Sequence, residues 1–343
     1  MIRVAINGLG RIGRATLKIV LDTPGLELVA ANDLAEAANL AYLLKYDTVY
    51  GRYDKPVGST DASTLTVGTH TLALLRENDP ARLPWTSLRV DIVFECTGAF
   101  THREELEAHL RAGARFVILS APSKSETVET IVHGVNTPLR GATMISCASC
   151  TTNCITPVME ILGRRLGIQK ATMTTIHGYT SSQALVDRPD ARARRGRAAA
   201  ANLVPTSTGA ATATARALTE YRGRFDGVAV RAPIAVGSLA DIVVLASRST
   251  AVDEVNRLFA EEADTERYRG IVGVTRDPIV SSDIVRDSRA SIIDLGLTQV
   301  VDGDLVKVMS WYDNEWGYSS QLVREASRVA ADLEHRAGQA GRS

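Results

Sequence analysis

The chain has 343 residues, with 39 Lys+Arg balanced by 39 Asp+Glu, 45% hydrophobic and 23% charged residues. That is enough for a large buried core and roughly two domains, and the even charge gives no global attraction to nucleic acid or a membrane surface. No apolar run reaches the ~20 residues that span a bilayer, and four cysteines in a chain of this length do not make a disulfide scaffold. The opening MIRVAINGLG reads as a strand rather than a signal peptide, so a reducing cytoplasm is the expected location.

Residues 2–7 (IRVAIN) form a short, β-branched, apolar run that predicts a buried strand. The glycine turn Gly8-Leu9-Gly10-Arg11-Ile12-Gly13 follows, then a helical stripe over 11–21 and a second strand over 26–31 ending on Asn32-Asp33. This is a strand–turn–helix–strand unit of βαβ size. Further buried strands are expected at 90–96 and 115–119, with a helix over 103–112 between them. The first ~145 residues therefore predict an α/β, doubly wound parallel sheet of Rossmann type. In the second half, strand-like runs at 171–176, 227–232, 241–246, 291–294 and 305–311 alternate with helical patterns such as 252–263. That pattern predicts an α+β domain with a mainly antiparallel sheet. The tail over 321–336 has helical spacing.

A lone GxGxxG is weak evidence. Here it follows a strand, opens a helix and has an acid, Asp33, about twenty residues beyond, the context a dinucleotide site requires. The glycines let backbone approach a pyrophosphate, and the helix N-terminus offers N–H groups and positive dipole. A carboxylate at Asp33 can accept ribose hydroxyls and repels a 2′-phosphate, favouring NAD over NADP. The competing reading is a tight turn with no ligand.

The stretch ISCASCTTNCITP holds three of the four cysteines: Cys147, Cys150 and Cys154. Their spacing admits a metal clip, a redox pair or one working thiol. A closed zinc site wants a fourth ligand that no second CxxC or HxxxH supplies, and no thioredoxin-like context surrounds the CxxC. Ser149 is a good N-cap, an apolar stripe follows, and Gly167 is a stop, with Pro157 predicting a kink or late start. Cys150 then lies in a first helical turn, where dipole and free N–H groups lower a thiol pKa. Cys154 is one turn deeper and buried. Among the six histidines, His102, His109 and His335 fall on apparent surface helices, and His70 and His133 in turns or edges. His177 ends a strand beside a loop, a pattern that suits a catalytic base and a structural histidine equally. Arg188–Arg197 (RPDARARRGR) holds five arginines, read as a solvated loop rather than a nucleic-acid patch.

INGLGRIGR, ANDL, LLKYDTVYG, ECTGAF, HLRAGARFVILSAPSK, SCTTNC, TTIHGYTSSQ, RRGRAAAANLVPTSTGAA, DPIVSSDIV and WYDNEWGYS run nearly end to end, and in these the chain resembles glyceraldehyde-3-phosphate dehydrogenase. The resemblance implies an NAD-binding domain over 1–149, with a C-terminal helix over 316–343 packing back on it, and a catalytic and oligomerisation domain over 150–315. It implies Cys150 as nucleophile and His177 as its base. Asn7, Gly8, Gly10, Arg11, Ile12, Asp33, Arg76, Thr97, Ser120 and Asn314 would bind the cofactor. Ser149, Thr151, Thr180, Arg195, Thr208, Gly209 and Arg231 would hold a sugar phosphate and inorganic phosphate. No metal is implied. The implied product is an acyl phosphate formed through a thioester, in a cytoplasmic homotetramer without membrane or specific nucleic-acid partners. The nearest alternative is erythrose-4-phosphate dehydrogenase.

Four departures from the family pattern stand out: Cys147 for Asn, Ser182 for Asp, Arg188 for a small or apolar residue, and VRAPIAVGSLAD over 230–241 for RVPTPNVSVVD. They suggest a specialised isozyme, altered in sugar-phosphate preference, flux direction or inhibitor tolerance. Arg188 would also favour NADP tolerance.

Overall fold

The computed structural model describes residues 1–340, with side chains through Arg336. Residues 1–133, 137–148 and 319–340 form one compact unit, and residues 134–136 and 149–318 form the other. Residues 341–343, the end of the expected C-terminal helix, lie outside the described residues; the helix spans Trp316–Ala340.

The first unit is built on an eight-stranded sheet. Its spatial order is Met144–Ser146, Phe116–Leu119, Ile92–Glu95, Ile2–Asn7, Leu26–Asn32, His70–Leu75, Thr64–Val67 and Val57–Asp61. The first six strands are mutually parallel, and the last two add antiparallel. Near-continuous burial of Ile2–Asn7, Ile92–Glu95 and Phe116–Leu119 is what a parallel sheet covered on both faces demands. Leu26–Asn32 and Ile92–Glu95 flank Ile2–Asn7 on opposite sides, so the winding reverses there and opens a crevice beyond the carboxyl ends of these strands.

One helix face departs from the sequence pattern. Spacing predicts a solvent-facing His109 on Arg103–Arg111, yet the ring is fully buried with Leu106 and Ala108. It can be, because Trp85 and Glu95 satisfy both ring nitrogens.

The second unit has its own eight-stranded sheet: Val204–Ser207, Phe225–Ala232, Ile168–Gly178, Ser238–Ala246, Leu305–Tyr312, Ser291–Asp294 and Val272–Thr275, with Gln299–Val301 also pairing with Leu305–Tyr312. It is antiparallel except for the Ile168–Gly178/Phe225–Ala232 and Val272–Thr275/Ser291–Asp294 pairs. Strict alternation along Ser238–Ala246 buries Ala240, Ile242 and Val244 on one face. That face joins one core with Ile155, Val158, Met159 and Leu162 of helix Cys150–Leu166 and Val255, Leu258 and Phe259 of helix Val252–Ala263.

The sequence predicts a kink or late start at Pro157; the helix instead starts at Cys150 and continues through Pro157 to Leu166, so the start is not delayed. An interior proline costs ~3 kcal/mol. Each fully buried aliphatic side chain returns ~1.5–3 kcal/mol, and Ile155, Val158, Met159, Ile161 and Leu162 are all at 0% exposure. Burial therefore wins. Gly167, at φ +72, closes the helix.

Candidate functional site

In the first unit, the glycine turn lies at the carboxyl end of Ile2–Asn7 and leads into helix Arg11–Val20. A Cβ on Gly8 (φ +94) would lie 2.7 Å from the Thr97 nitrogen, and one on Gly13 would collide with the Gly8 carbonyl. These two glycines let the turn, the helix and the neighbouring loop close together. Gly10 differs: a Cβ there would meet nothing, so the space before the helix N-terminus, with Arg11 and Ile12 as its first residues, is open to a ligand. Asp33 accepts the Leu9 N–H at 2.7 Å through Oδ2 and the Ala35 N–H at 2.9 Å through Oδ1, fixing the turn while leaving lone pairs for a ribose. Asn7 turns its side chain away from this space, donating to Glu95 at 2.6 Å and accepting from Asn32 at 2.7 Å. Thr97 is held to Glu95 by its N–H and its hydroxyl, and the Ser120 N–H donates to the Glu95 carbonyl at 2.9 Å. Arg11 pairs with Asp47 at 2.6 Å and lies over the Tyr50 ring. Arg76 is exposed and lines a cavity of about 280 Å³ with Ala35, Glu36 and Leu75. The open approach at Gly10, the helix N-terminus and the ribose-facing acid fit a dinucleotide.

In the second unit, Ser149 caps helix Cys150–Leu166, its Oγ accepting the Thr152 N–H at 3.1 Å. This sets Cys150 in the first turn. Its Sγ lies 3.4 Å from Nε2 of His177, the residue near the end of strand Ile168–Gly178. The helix terminus alone predicts a lowered thiol pKa, but burial outweighs it and pushes the Cys150 thiol up. The Arg231 charge and the N–H groups of Thr151 and Cys150 oppose that rise without cancelling it. Burial, then the charge of Arg231, hold the His177 pKa down to about 3. At neutral pH the pair is thus a thiol facing a neutral imidazole, whose tautomer decides whether Nε2 can take the thiol proton.

None of the four cysteines forms a disulfide. Cys154 is fully buried with its sulfur against Ser310, and burial raises its pKa to about 12. Burial likewise pushes the Cys147 thiol well up. Neither resembles a nucleophile.

Two arginines gather on the other side of His177. Register pairs His177 directly with Arg231 across parallel strands, and Arg231 Nη1 comes 2.5 Å from Nδ1 of His177. Arg195 donates through Nε to the Thr206 hydroxyl at 3.0 Å. Burial, then the charges of Arg192 and Arg231, disfavour its protonated form. Converging cations of this kind suit an anion. The Thr180 hydroxyl pairs with that of Ser182 at 2.9 Å, the Thr208 hydroxyl accepts the Ala210 N–H at 3.2 Å, and Gly209 precedes the short helix Ala210–Ala217. No hydrogen bond joins Thr180 or Thr208 to Cys150 or His177 among the described residues. Thr151 is buried, its hydroxyl 2.9 Å from that of Tyr312. Asn314 is buried, its Oδ1 accepting from the Gly237 N–H and the Ser238 hydroxyl, both at 3.0 Å.

Tyr312 escapes sequence reasoning. Its hydroxyl also meets Thr175 at 2.8 Å, and its ring stands edge-on to His177 with centroids 6.0 Å apart. The signal was the strand alternation that buries Val306, Val308 and Ser310 and carries Tyr312 onto the same face.

Comparison with known proteins agrees with this chemistry. Residues 2–103 match the NAD binding domain of glyceraldehyde 3-phosphate dehydrogenase, and residues 149–314 match its C-terminal domain. The chain is 47% identical over 326 residues to glyceraldehyde-3-phosphate dehydrogenase of Streptomyces coelicolor, covering 94% of this chain and 96% of the relative. It is 42% identical over 336 residues to that of Zymomonas mobilis, covering 97% and 99%. It is 47% identical over 340 residues to that of Mycobacterium tuberculosis, again covering 97% and 99%. The chain therefore belongs to the glyceraldehyde-3-phosphate dehydrogenase family, an NAD-dependent class of oxidoreductases.

Proposed function

We propose that the chain oxidises the aldehyde of D-glyceraldehyde 3-phosphate and passes the acyl group to inorganic phosphate, giving 1,3-bisphosphoglycerate. The observation that carries this reading is the 3.4 Å approach of Cys150 Sγ to His177 Nε2 at a helix N-terminus. Sγ adds to the aldehyde carbon while its proton passes to Nε2, leaving a thiohemiacetal. The Cys150 N–H and His177 are the donors available to the oxygen as it gains charge. NAD, when bound, supplies the acceptor for the hydride that leaves this carbon. The acyl group stays on Sγ as a thioester. A phosphate oxygen then attacks it, and the departing sulfur recovers a proton. Arg195 and Arg231, with Thr180, Thr208, Gly209, Ser149 and Thr151, hold the two phosphates.

NAD is the preferred cofactor, since a 2′-phosphate would meet the Asp33 carboxylate. Asn7, Gly8, Gly10, Arg11, Ile12, Arg76, Thr97, Ser120 and Asn314 complete its site, Asn7 through its backbone. We also read the protein as a cytoplasmic homotetramer. Among the described residues no helix is long and apolar enough to cross a membrane. The sheet face opposite the helices leaves Val228 and Leu305 exposed and Leu239, Val243, Met309 and Trp311 partly so, apolar surface that self-association would cover.

The deciding assay follows NADH formation from glyceraldehyde 3-phosphate with and without phosphate, in wild type and Cys150→Ser. The expected result is phosphate-dependent turnover that the substitution abolishes. Undiminished turnover with water in place of phosphate would favour the erythrose-4-phosphate dehydrogenase reading instead.

A further inference from the structure

The edge of His177 that faces away from Cys150 is contested. Nδ1 lies 2.6 Å from the Gly178 carbonyl oxygen and 2.5 Å from Nη1 of Arg231, and that Nη1 is itself 3.1 Å from the same oxygen. A carbonyl only accepts and a guanidinium only donates. Nδ1 of a neutral imidazole carries either a hydrogen or a lone pair, so it serves one of these neighbours at a time. A hydrogen on Nδ1 goes to Gly178 and leaves the Nε2 lone pair facing Cys150, the arrangement a base requires. A lone pair on Nδ1 takes the Arg231 N–H and puts the ring hydrogen on Nε2, where it points at Sγ and blocks proton uptake.

Arg231 is suited to change partners. The sheet register fixes it beside His177, so the contact is built into the fold. No ion pair engages it among the described residues, and its Nε is buried without a partner. Arg195, close enough for their charges to repel, adds pressure toward an anion. The groups facing the imidazole are Cys150 from the helix, Arg231 from the neighbouring strand with Arg195 beyond it, and the Tyr312 ring. No carboxylate contacts the ring among the described residues.

We propose that Arg231 gates the tautomer of His177, holding it in the inactive Nε2–H form until a substrate phosphate draws the guanidinium away. One proton then moves through solvent from Nε2 to Nδ1. No atom is gained or lost, Gly178 accepts the new N–H, and the Nε2 lone pair turns to the thiol. Binding energy from a phosphate remote from the reacting carbon thereby prepares the base. This rests on the reading that Arg231 binds the substrate phosphate.

The test is 15N NMR of the full chain labelled in its histidine rings, at a pH above the ordinary histidine range, with His177→Asn identifying the signals. Sulfate is the probe, titrated into wild type and Arg231→Met. In anion-free wild type the protonated nitrogen of His177 is expected to be Nε2, and sulfate should shift the protonated signal to Nδ1. Arg231→Met should show Nδ1–H with or without sulfate. An Nδ1–H form already dominant in anion-free wild type overturns the proposal without need of the variant, as does sulfate binding that leaves the tautomer unmoved. Glyceraldehyde 3-phosphate affinity is measured in parallel on Cys150→Ser with and without Arg231→Met. Equal affinity would remove the phosphate-binding reading itself, a failure distinct from failure of the gate.

Discussion

The indole Nε1–H of Trp85 donates to Nδ1 of His109 over 3.0 Å, and this single bond sets the proton on the far side of the ring. Indole has only a donor, so Nδ1 accepts, and Nε2 carries the hydrogen that reaches Glu95 Oε2 at 3.1 Å. Glu95, fully buried, also accepts from Asn7 at 2.6 Å and from Thr97 through its N–H at 2.8 Å and its hydroxyl. It therefore ties helix Arg103–Arg111 to the two residues that flank the glycine turn. Glu95→Gln would place an NH2 among these donors, at a cost of about 1–3 kcal/mol. NAD affinity is expected to fall roughly 10-fold, about 1.4 kcal/mol, as Thr97 and Asn7 loosen beside Gly8. Urea unfolding and NAD titration read the two effects. A stability loss with unchanged NAD affinity would leave the network purely structural.

His177 predicts an acid-side signature. With its pKa held at about 3 by burial and then Arg231, against an ordinary histidine value of 6.5, the unfolded chain binds this proton first. Its contribution to stability is full above about pH 6.5 and is lost as pH falls from there toward about 3. At ~1.4 kcal/mol per pH unit, moving from about pH 6.5 to about pH 5 loses on the order of 2 kcal/mol. His177→Asn lacks that loss. Unfolding free energies of the two proteins should therefore converge, or cross, by about that amount over this window. A constant difference would contradict a buried neutral ring.

What was legible in the sequence follows the range of each interaction. The glycine turn and the Ser149 cap are local, and both form where the residues predict. The Cys150–His177 pair joins residues 27 apart, and a strand-end histidine has the same local pattern whether or not a thiol faces it. His109 misled because helical spacing reveals a face and not what meets it. The helix terminus at Cys150 was visible, but the desolvation that reverses its pKa shift comes from a core assembled out of several distant strands. Tyr312, joined to Thr151 across 161 residues, left only an alternation.

Gly237 sits within one of the departures from the family pattern and has a definite mechanical role. At φ +92 its N–H donates to Asn314 Oδ1 and its carbonyl accepts the Gly178 N–H at 3.2 Å. With Ser238 also donating to Oδ1, the Asn314 amide is oriented so that Nδ2 is the donor a ligand can use. A Cβ at 237 would fall 2.7 Å from the Ser281 carbonyl oxygen in a conformation L residues rarely adopt. Gly237→Ala is expected to cost ~1–3 kcal/mol and to weaken NAD binding. Asn314→Asp keeps the inward acceptor and should weaken NAD binding with little loss of stability. Calorimetric titration beside thermal melts separates them. Unaltered NAD binding in both variants would remove Asn314 from the cofactor site.

Tyr312 links the nucleophile's helix to the strand that carries the base. Its hydroxyl lies between Thr151 and Thr175, at 2.9 and 2.8 Å, and burial pushes its pKa up, keeping the phenol protonated. With one hydrogen it donates to one threonine and accepts from the other, so the three hydroxyls form a directed chain. Tyr312→Phe leaves two buried threonine hydroxyls short of this partner, at about 1–3 kcal/mol. Thr151 adjoins Cys150, so its release lets Sγ drift from Nε2. A misplacement of about 1 Å can cost ~100-fold in rate. The expected outcome is a kcat lowered by roughly 10- to 100-fold with KM for NAD unchanged, because the Tyr312 hydroxyl bonds Thr151 and Thr175 and none of the residues assigned to the cofactor. A variant with normal kcat and only a lowered melting temperature would show that Tyr312 stabilises the core without positioning the thiol.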